Sequence, residues 1–341
     1  MEATGKAKFS CSETGDKNKK NQSKWGIFTK DRPLRVGTDC SGIEAPIVAL
    51  QQLGVPFTHE FSSEVDEHCV ATIKANFAPK IIFGDMTKRH LKDIPDIDLY
   101  VCGFPCQPFS VAGKREGVRD PRGTIFWECV KVIKHKKPSV FILENVKGLL
   151  SIEGGETFKR MIRELERIKG YLVQWRVLNT ADYGIPQNRE RLFITGLRNK
   201  EVDKPLFSDG EKPLRCPKLE SFVDWNEKQQ DPLLPSREYL YRTLAEGVLF
   251  VNLGFCRGKR SSGRKVCPTM VVKSRLWCVP LHRYATIREC LRLQGFPESF
   301  QIPVSKSQIL NQIGNSISVN VLVYILSKCL ATSPNYSKKR Q

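Results

Sequence analysis

The sequence predicts an α/β protein whose core is a mostly parallel, doubly wound sheet, with a second, smaller and irregular module late in the chain. Two observations support this prediction. Over residues 34–198, short apolar segments alternate with amphipathic segments of helical period, which is typical of strand–helix–strand units. After residue 198 the periodicity fades, and residues 199–282 are rich in proline, glycine and charge.

The strands are predicted from short apolar runs bounded by turn residues, and the helices from apolar residues that recur every three to four positions. The helix at residues 44–53 illustrates the second pattern, because its apolar residues share one face and Gly54 ends it. The predicted strands are residues 34–39, 57–62, 80–83, 98–102, 139–143, 171–178 and 192–196. The predicted helices are residues 44–53, 66–77, 124–135, 156–169, 286–293 and 317–330.

The composition predicts a nucleic-acid partner. The 341 residues include 55 basic and 36 acidic side chains, which gives a net charge of +19. A surplus of this size favours a polyanionic partner, above all nucleic acid. The alternative is a soluble protein that happens to be basic. No run of roughly 18 uncharged apolar residues occurs, so we expect no membrane span.

The twelve cysteines predict reduced thiols rather than a disulfide framework, because the chain is long and its N-terminus has no apolar signal region. Cys256, Cys267 and Cys278 recur at equal spacing with His282 nearby, but this arrangement matches no common zinc pattern. No Cys-x-x-Cys pair occurs either. We therefore expect no metal site.

Small and acidic residues follow the first three predicted strands. The turn Cys40-Ser41-Gly42 follows the first, Glu64 the second and Asp85 the third. In doubly wound folds such a turn lets a nucleotide approach the backbone, and the acid after the second strand accepts hydrogen bonds from ribose. The fingerprint G-x-G-x-x-G is absent, which disfavours NAD. The alternative is that these acids are solvated loop residues.

A cysteine lies between two prolines immediately after the fourth predicted strand, in the segment GFPCQPFS at residues 103–110. Proline fixes φ and removes a backbone donor, so this segment cannot continue as sheet or wind into helix. Cys106 is therefore a candidate nucleophile on a stiff loop at the carboxyl end of a strand. The alternative is a small apolar cysteine of the core.

Three charged residues at the ends of other predicted segments are candidates to join Cys106 in one pocket. Glu144 follows the fifth strand, and Arg189 and Arg191 precede the last one. A thiol, a carboxyl and guanidinium groups suit attack on an electron-poor ring, because a nearby cation helps the thiol to ionise. The alternatives are a capping loop for Glu144 and surface charge for the two arginines.

Five segments, in order along the chain, resemble the motifs of the DNA (cytosine-5) methyltransferases. Residues 103–110 resemble the catalytic loop of that family, residues 144–146 (ENV) its acid motif and residues 187–191 (QNRER) its arginine motif. Residues 283–297 resemble the segment that orients the recognition domain, and residues 312–316 (QIGNS) the C-terminal cofactor motif. The resemblance extends over nearly the whole chain.

The resemblance implies a Rossmann-like, S-adenosylmethionine-dependent methyltransferase fold with a small irregular target recognition domain, acting as a monomer on double-stranded DNA. It divides the chain into a disordered basic tail (1–33), a catalytic domain (34–198 and 283–330), a target recognition domain (199–282) and a basic C-terminal tail (331–341). The implied location is the nucleus in a eukaryote, and otherwise the cytoplasm or nucleoid.

The resemblance also assigns the site. It implies methyl transfer from S-adenosyl-L-methionine to C5 of cytosine in DNA, in which Cys106 adds to C6 of a flipped-out base and Glu144 holds N3. Arg189 and Arg191 are implied to position the base and the loop. The implied cofactor contacts are Cys40, Ser41, Gly42, Ile43, Glu64, Val65, Asp85, Met86, Ile125, Asn315 and Ser316. The implied DNA contacts are Ser110, Arg257, Lys259, Arg260, Arg264 and Lys265.

The first motif departs from the family pattern, because Cys40 stands where an aromatic residue is usual and Glu44 replaces a glycine. Two other functions stay open. A tRNA cytosine-5 methyltransferase of the same family carries Cys-Phe-Thr in its recognition region, where this chain has GFCR at residues 254–257. A non-catalytic, DNA-binding regulator on the same fold is disfavoured because Cys106 and Glu144 are both present.

Overall fold

The computed structural model describes residues 28–105, 124–198, 206–207, 213–227, 246–254, 261–263 and 265–331. Within them, helices cover both faces of a seven-stranded sheet, and later residues form a four-stranded antiparallel sheet. The predicted α/β class with a mostly parallel sheet is confirmed.

The strands of the large sheet are β1 (Leu34–Asp39), β2 (Phe57–Ser63), β3 (Ile81–Phe83), β4 (Leu99–Gly103), β5 (Val140–Val146), β6 (Leu172–Asn179) and β7 (Glu190–Leu197). Those of the small sheet are β8 (Phe250–Asn252), β9 (Ser261–Gly263), β10 (Leu276–Cys278) and β11 (Arg283–Tyr284). The helices are α1 (Ala45–Leu53), α2 (Glu67–Asn76), α3 (Thr124–Lys136), α4 (Glu156–Glu166), α5 (Ile287–Gln294), α6 (Lys306–Asn315) and α7 (Val319–Ala331).

The order of the large sheet is β3-β2-β1-β4-β5-β7-β6. Strands β1 to β5 pair in parallel, whereas β7 runs antiparallel to both β5 and β6. Across the sheet, the strands are added towards one edge from β1 to β3 and towards the opposite edge from β4 onwards. The carboxyl ends of β1 and β4 therefore flank the point where the strand order reverses, which is where open α/β sheets bind ligands.

All seven predicted strands of the large sheet are present, with ends that move by up to three residues. One shift matters for the site. Strand β5 continues to Val146, because it pairs with Gly103 of β4 on one side and with residues 191–193 of β7 on the other. Glu144 and Asn145 thus lie inside a strand held on both sides, not in a capping loop.

The C-terminal helical region differs from the prediction. Helix α6 was not predicted, because polar residues alternate with its apolar ones; a capping box of Ser305 and Gln308 begins it. The backbone becomes extended at Ser316, so the final helix begins at Val319 rather than at residue 317. Taken as one segment, Lys306–Ala331 is long enough to cross a membrane and contains an 18-residue window with a mean hydropathy of 1.4, but 67% of that window is buried in the fold.

The two faces of the large sheet carry separate apolar clusters. One face packs against α1 and α7 through Val36 and Val101, and the other against α3 and α4 through Phe61 and Phe141. The ring of Phe61 lies over Gly37 of the neighbouring strand, where a Cβ atom would lie 2.1 Å from the ring. The ring of Phe61 can therefore lie over this part of β1 only because position 37 is a glycine.

The small sheet has the order β11-β10-β8-β9; β8 to β10 lie within residues 199–282, where periodicity fades, and β11 follows directly after them. Its own cluster is built around Trp277, which is fully buried and packs edge-on against Tyr284 with ring centroids 5.0 Å apart. Phe250 and Cys278 belong to the cluster shared with α1 and α7. The boundaries proposed for a target recognition domain stay a prediction.

Candidate active site

Glu144 is the centre of the candidate active site. It lies on β5 opposite Gly103 and Phe193 and is 8% exposed. The Nε of Arg191 lies 3.2 Å from its Oε1. Burial raises the pKa of the Glu144 carboxyl, although Arg191 and Arg189 act against this. A carboxyl with a raised pKa keeps its proton at higher pH than an exposed one, which suits a group that donates a hydrogen bond to a ring nitrogen.

Gly103 keeps the space beside this carboxyl open. A Cβ atom built on Gly103 would lie 3.5 Å from Oε2 of Glu144 and 3.5 Å from Cδ1 of Ile317. A longer side chain at this position would therefore fill the space between Glu144 and the segment that follows α6. Gly103 is the last residue of β4, so the chain leaves the sheet directly beside Glu144.

Asn145 fixes the start of the loop that contains the predicted nucleophile. Its Nδ2 donates to the carbonyl of Phe104 (3.0 Å), and its Oδ1 accepts from the backbone N–H of Val146 (2.8 Å). The sequence analysis gave Asn145 no role of its own, although its place in the acid motif was a signal. Cys106 is the second residue after Phe104, and it lies outside the described residues together with Ser110, so their positions stay predictions.

The two arginines of residues 187–191 have different roles, and neither is a surface charge. Arg191 pairs with the carboxyl, as described above. Arg189 is 1% exposed, and its guanidinium donates to the carbonyls of Met270 (2.5 Å), Ser316 (2.6 Å) and Gly314 (3.2 Å). Arg189 thus joins backbone segments, and its Nε is buried without a hydrogen-bond partner among the described residues. Its expected role in positioning the base and the loop stays a prediction. Burial, with repulsion from Arg191, lowers the pKa of Arg189.

Glu64 joins the turn after β1 to the end of β2. Its Oε2 accepts from the backbone N–H of Gly42 (2.8 Å), and its Oε1 from those of Val65 (2.8 Å) and Asp66 (3.0 Å). Burial raises the pKa of this carboxyl, although these hydrogen bonds act against the change. An ionised carboxylate has about four acceptor positions, so one remains for the hydroxyl of a ligand.

The other predicted cofactor residues divide into two groups. Val65 is 73% exposed, an unusual state for an apolar side chain beside a polar groove, and Asp85 is partly exposed. The hydroxyl (2.7 Å) and N–H (2.9 Å) of Thr87 donate to Asp85 and lower its pKa. The side chains of Ile43 (1% exposed) and Met86 (6%) lie in the core, so only their backbone is available to a ligand, and their predicted contacts stay a prediction.

A pocket separates the turn after β1 from the segment that follows α6. It is lined by residues 38–42, by Gly103 and by residues 315–317, so it brings together the turn, the end of β4 and the QIGNS segment. Its enclosed part measures about 30 Å³, room for roughly one water molecule. Asn315 is exposed at its rim and Ser316 is buried, whereas the partly buried Ile125 lies on α3 and does not line it.

Glu44 occupies the position where the family has a glycine, and it connects the elements beneath the turn. It is fully buried, in the left-handed region (φ 59°). Its Oε1 accepts from the hydroxyls of Thr38 (2.6 Å) and Ser62 (2.6 Å), with Nε2 of His59 3.4 Å away. The hydroxyl of Thr38 lies 2.7 Å from that of Ser41. Glu44 therefore links β1, the turn and β2 through one carboxyl oxygen.

Asp39 is a candidate ligand contact that the sequence analysis missed, although an acid as the last residue of the first strand was a signal. Its Oδ2 accepts from the hydroxyl of Tyr100 (2.6 Å) and from Arg89 (2.5 Å). Its Oδ1 is buried and has no hydrogen-bond partner among the described residues, and Asp39 lines the pocket. The pocket thus contains a buried acceptor suited to a cationic or N–H group.

Cys40, the other departure from the family pattern, packs against the core cluster beneath the turn. A hydrogen bond with Cys102 lowers the pKa of its thiol, but burial and the neighbouring Cys129, Asp39 and Glu64 together raise it above its ordinary value. The thiol is therefore held neutral, and its side chain faces the core.

Of the predicted DNA contacts, Lys265 alone lies in the part of the chain that the structure describes, where it is exposed. The segment after it returns to the site, since the N–H of Asn188 donates to the carbonyl of Cys267 (2.8 Å). Arg257, Lys259, Arg260 and Arg264 lie outside the described residues. The described residues contain no group of three or more side chains placed to hold a metal ion.

Comparison with known proteins identifies the family of this chain. The model of the C-5 cytosine-specific DNA methylases matches residues 39–243 and 259–331. The chain is 35% identical over 309 residues to the Type II methyltransferase M.DsaV of Dactylococcopsis salina (85% of this chain, 84% of the relative). It is also 35% identical to the Type II methyltransferase M.NgoBI of Neisseria gonorrhoeae (88% and 94%).

Solved structures share the fold. The Dnmt2 methyltransferase of S. pombe superposes with a TM-score of 0.63 at 23% identity, over 87% of this chain and 98% of that one. A putative DNA modification methyltransferase of an E. coli prophage superposes with a TM-score of 0.66 at 22% identity, over 87% and 98%. With the family match extending over both the cofactor turn and the QIGNS segment, this chain belongs to the C-5 cytosine-specific DNA methylase family.

Proposed function

We propose that this DNA cytosine-5 methyltransferase works through a transient covalent bond between Cys106 and C6 of a cytosine that has left the duplex. The observation that carries the proposal is the setting of Glu144. Its buried carboxyl has a raised pKa, is paired with Arg191 and lies beside the end of β4, which leads directly to Cys106.

The residues around the pocket fit S-adenosyl-L-methionine as the methyl donor. Asp39 offers an unpartnered buried carboxylate oxygen for its ammonium group, Glu64 an acceptor position for ribose, and the exposed Val65 an apolar surface for adenine. Because the enclosed pocket is small, most of such a molecule would lie over the open strand ends. When bound, this cofactor would supply the electrophilic methyl group that C5 of the base accepts, and the broken S–CH3 bond would leave S-adenosyl-L-homocysteine, a neutral thioether.

The chain's own residues make C5 able to accept it. The Cys106 thiolate forms a bond to C6. The electron pair of the C5–C6 double bond shifts to between C4 and C5, and the pair of the C4–N3 double bond moves onto N3. Glu144 donates its proton toward N3 as negative charge develops there, which is the state that its raised pKa favours. When the C5 proton has passed to water, the S–C6 bond breaks, the double bond returns and Glu144 recovers its proton.

Arg191 positions the acid during these steps. Its Nε lies 3.2 Å from Glu144, and its Nη1 donates to the carbonyl of Glu190 (2.8 Å), so the guanidinium is fixed at both ends. Fixing the carboxyl in one orientation avoids a rotation during the reaction, and such preorganisation is a main source of catalytic rate.

The substrate is double-stranded DNA, in which stacking hides both faces of the cytosine ring. The base must therefore leave the helix, at a cost of a few kcal/mol, before Cys106 can reach C6. The net charge of +19 supplies non-specific attraction to the phosphate backbone, independent of sequence.

Trapping with 5-fluorocytosine tests the proposal. Fluorine at C5 cannot leave as a proton does, so the adduct persists and the protein migrates with the DNA in a denaturing gel. We expect the adduct with wild type and the methyl donor, with its peptide mapped to Cys106, and no adduct with Cys106→Ser, which still binds DNA. Methyl transfer by Cys106→Ser, or trapping on tRNA but not on DNA, would contradict the proposal.

A further inference from the structure

A second cleft, separate from the cofactor pocket, lies between the small sheet and helices α5 and α6. Its volume is about 590 Å³, within the range of roughly 300–1,000 Å³ typical of small-molecule sites. No residue lines both this cleft and the cofactor pocket. The floor of the cleft is apolar and buried, formed by Met270, Leu276, Ala285, Cys290 and Ile313.

Three cations stand around this floor. Lys273, Arg275 and Lys306 all line the cleft and are exposed, and no acidic residue is among its lining residues. Among the described residues, none of the three pairs with a carboxylate. Burial and the nearby charge of Glu289 raise the pKa of the Cys290 thiol to about 12, and the charge of Lys306 opposes this, so its ammonium group also acts on the cleft floor.

The backbone that carries these cations is fixed. Lys273 lies in the left-handed region (φ 64°), and its N–H donates to Oδ1 of Asn311 on α6 (3.1 Å). The N–H of Arg275 donates to Oδ1 of Asn252 (3.2 Å), and its carbonyl accepts from Leu253 (2.8 Å). Lys273 and Arg275 thus stand on a fixed backbone segment just before β10, and Lys306 lines the same cleft at the start of α6, whose dipole adds partial positive charge there.

A planar, partly apolar body that carries a negative charge matches this arrangement. The buried floor and the ring of Tyr284, which Trp277 holds in place, offer an apolar surface. The side chains of Ser307 and Asn311 offer hydrogen-bonding groups between that surface and the cations. A nucleobase with a phosphate group satisfies the apolar, polar and cationic parts of the lining together.

We propose that this cleft binds a nucleoside phosphate, with its base on the apolar floor and its phosphate among Lys273, Arg275 and Lys306. Two sources supply a nucleoside phosphate: a free mononucleotide, or a nucleotide of a bound DNA strand. The second source rests on the proposed function, whereas the first is independent of it.

Two variants of the full chain remove the site in different ways. The double variant Arg275→Gln/Lys306→Gln removes two cations, and Ser307→Trp fills the cleft from an exposed position without changing the charge. Arg163→Gln/Lys169→Gln is the matched control, because it removes two exposed cations on and just after α4, away from the cleft.

Calorimetric titration with AMP tests the first source, and binding of a 20-base-pair duplex at several salt concentrations tests the second. If the source is a mononucleotide, AMP affinity falls at least about tenfold in both cleft variants and not in the control. If the source is DNA, duplex affinity falls in both cleft variants. The slope of log affinity against log salt then becomes shallower by about 0.9 in the double variant, because the cleft neutralises one phosphate and each neutralised phosphate adds about 0.9 to that slope.

The proposal is overturned if both probes bind the cleft variants as they bind the control. Methyl transfer to duplex DNA, measured on the same wild-type preparation, separates this failure from failure of the proposed function. Methylation with unchanged probe binding would refute the cleft alone, and AMP binding without methylation would refute the proposed function alone.

Discussion

Replacement of Glu44 by alanine is predicted to loosen the cofactor turn without touching the chemistry at the base. The substitution removes the acceptor of two 2.6 Å hydrogen bonds, from Thr38 and Ser62, in a fully buried position. Bonds to such a group contribute about 1–3 kcal/mol each. Part of the loss is recovered, because Thr38 keeps Ser41 as a partner and Ser62 keeps His59 at 3.0 Å. We therefore expect the free energy of unfolding to fall by about 2–4 kcal/mol.

Glu44→Gly separates the side chain from the backbone. At φ 59° a residue with a Cβ atom is strained by about 1–2 kcal/mol, and glycine is not. We expect the glycine variant to be about 1 kcal/mol more stable than the alanine variant, although it lacks the same carboxyl and restores the residue usual in the family.

The assay is urea unfolding followed by tryptophan fluorescence, together with calorimetric binding of S-adenosyl-L-homocysteine and steady-state methyl transfer. Both variants should bind this product more weakly and raise the KM for the cofactor, whereas kcat at saturating cofactor should change little, because Glu44 is not in contact with Glu144 or Arg191. An alanine variant with wild-type stability and wild-type cofactor affinity would refute the reasoning.

Three further predictions concern other parts of the site. Glu144→Gln should slow methyl transfer by about 10²–10⁴-fold. Because the folded-state pKa of Glu144 is raised, the free energy of unfolding of wild type should fall relative to this variant as pH rises through that pKa. Urea unfolding of both proteins at pH 4 and at pH 7.5 measures this difference. Arg189→Met should lower the free energy of unfolding by about 3–5 kcal/mol, since three buried carbonyls lose their donor, and a change below about 1 kcal/mol would contradict its positioning role. Neutralising Arg257, Lys259 and Arg260 should weaken DNA binding and make its salt dependence shallower by about 2.7, and an unchanged slope would place the DNA elsewhere.

Much of the site could be predicted from local sequence. The alternation of strand and helix, read from spacing alone, placed the turn after β1, Glu64 and Glu144 at or near one edge of a parallel sheet, and the structure places them there. This succeeded because the carboxyl ends of neighbouring parallel strands meet at one edge whatever their loops contain. The motif resemblance added the chemistry, which no periodicity encodes.

Helix α6 and the role of Arg189 were decided by tertiary structure. The helix alternates polar and apolar residues because it is packed on more than one side: Gln312 meets Thr72 of α2, and Gly314 lies against the backbone of Val271. Arg189 finds its acceptors 81 to 127 residues further along the chain. Such partners are brought together only when the whole sheet and the segment after it have packed.

The sequence by itself determined the strands of the sheet and the edge at which Glu144 lies, since strand periodicity acts within a few residues. The place of Cys106 at that edge stays a prediction. Only the folded structure decided that burial raises the pKa of Glu144, that Glu44 joins three elements and that Arg189 connects distant backbone segments. Burial and hydrogen-bond partners depend on which distant segments meet, and a linear pattern does not contain that information.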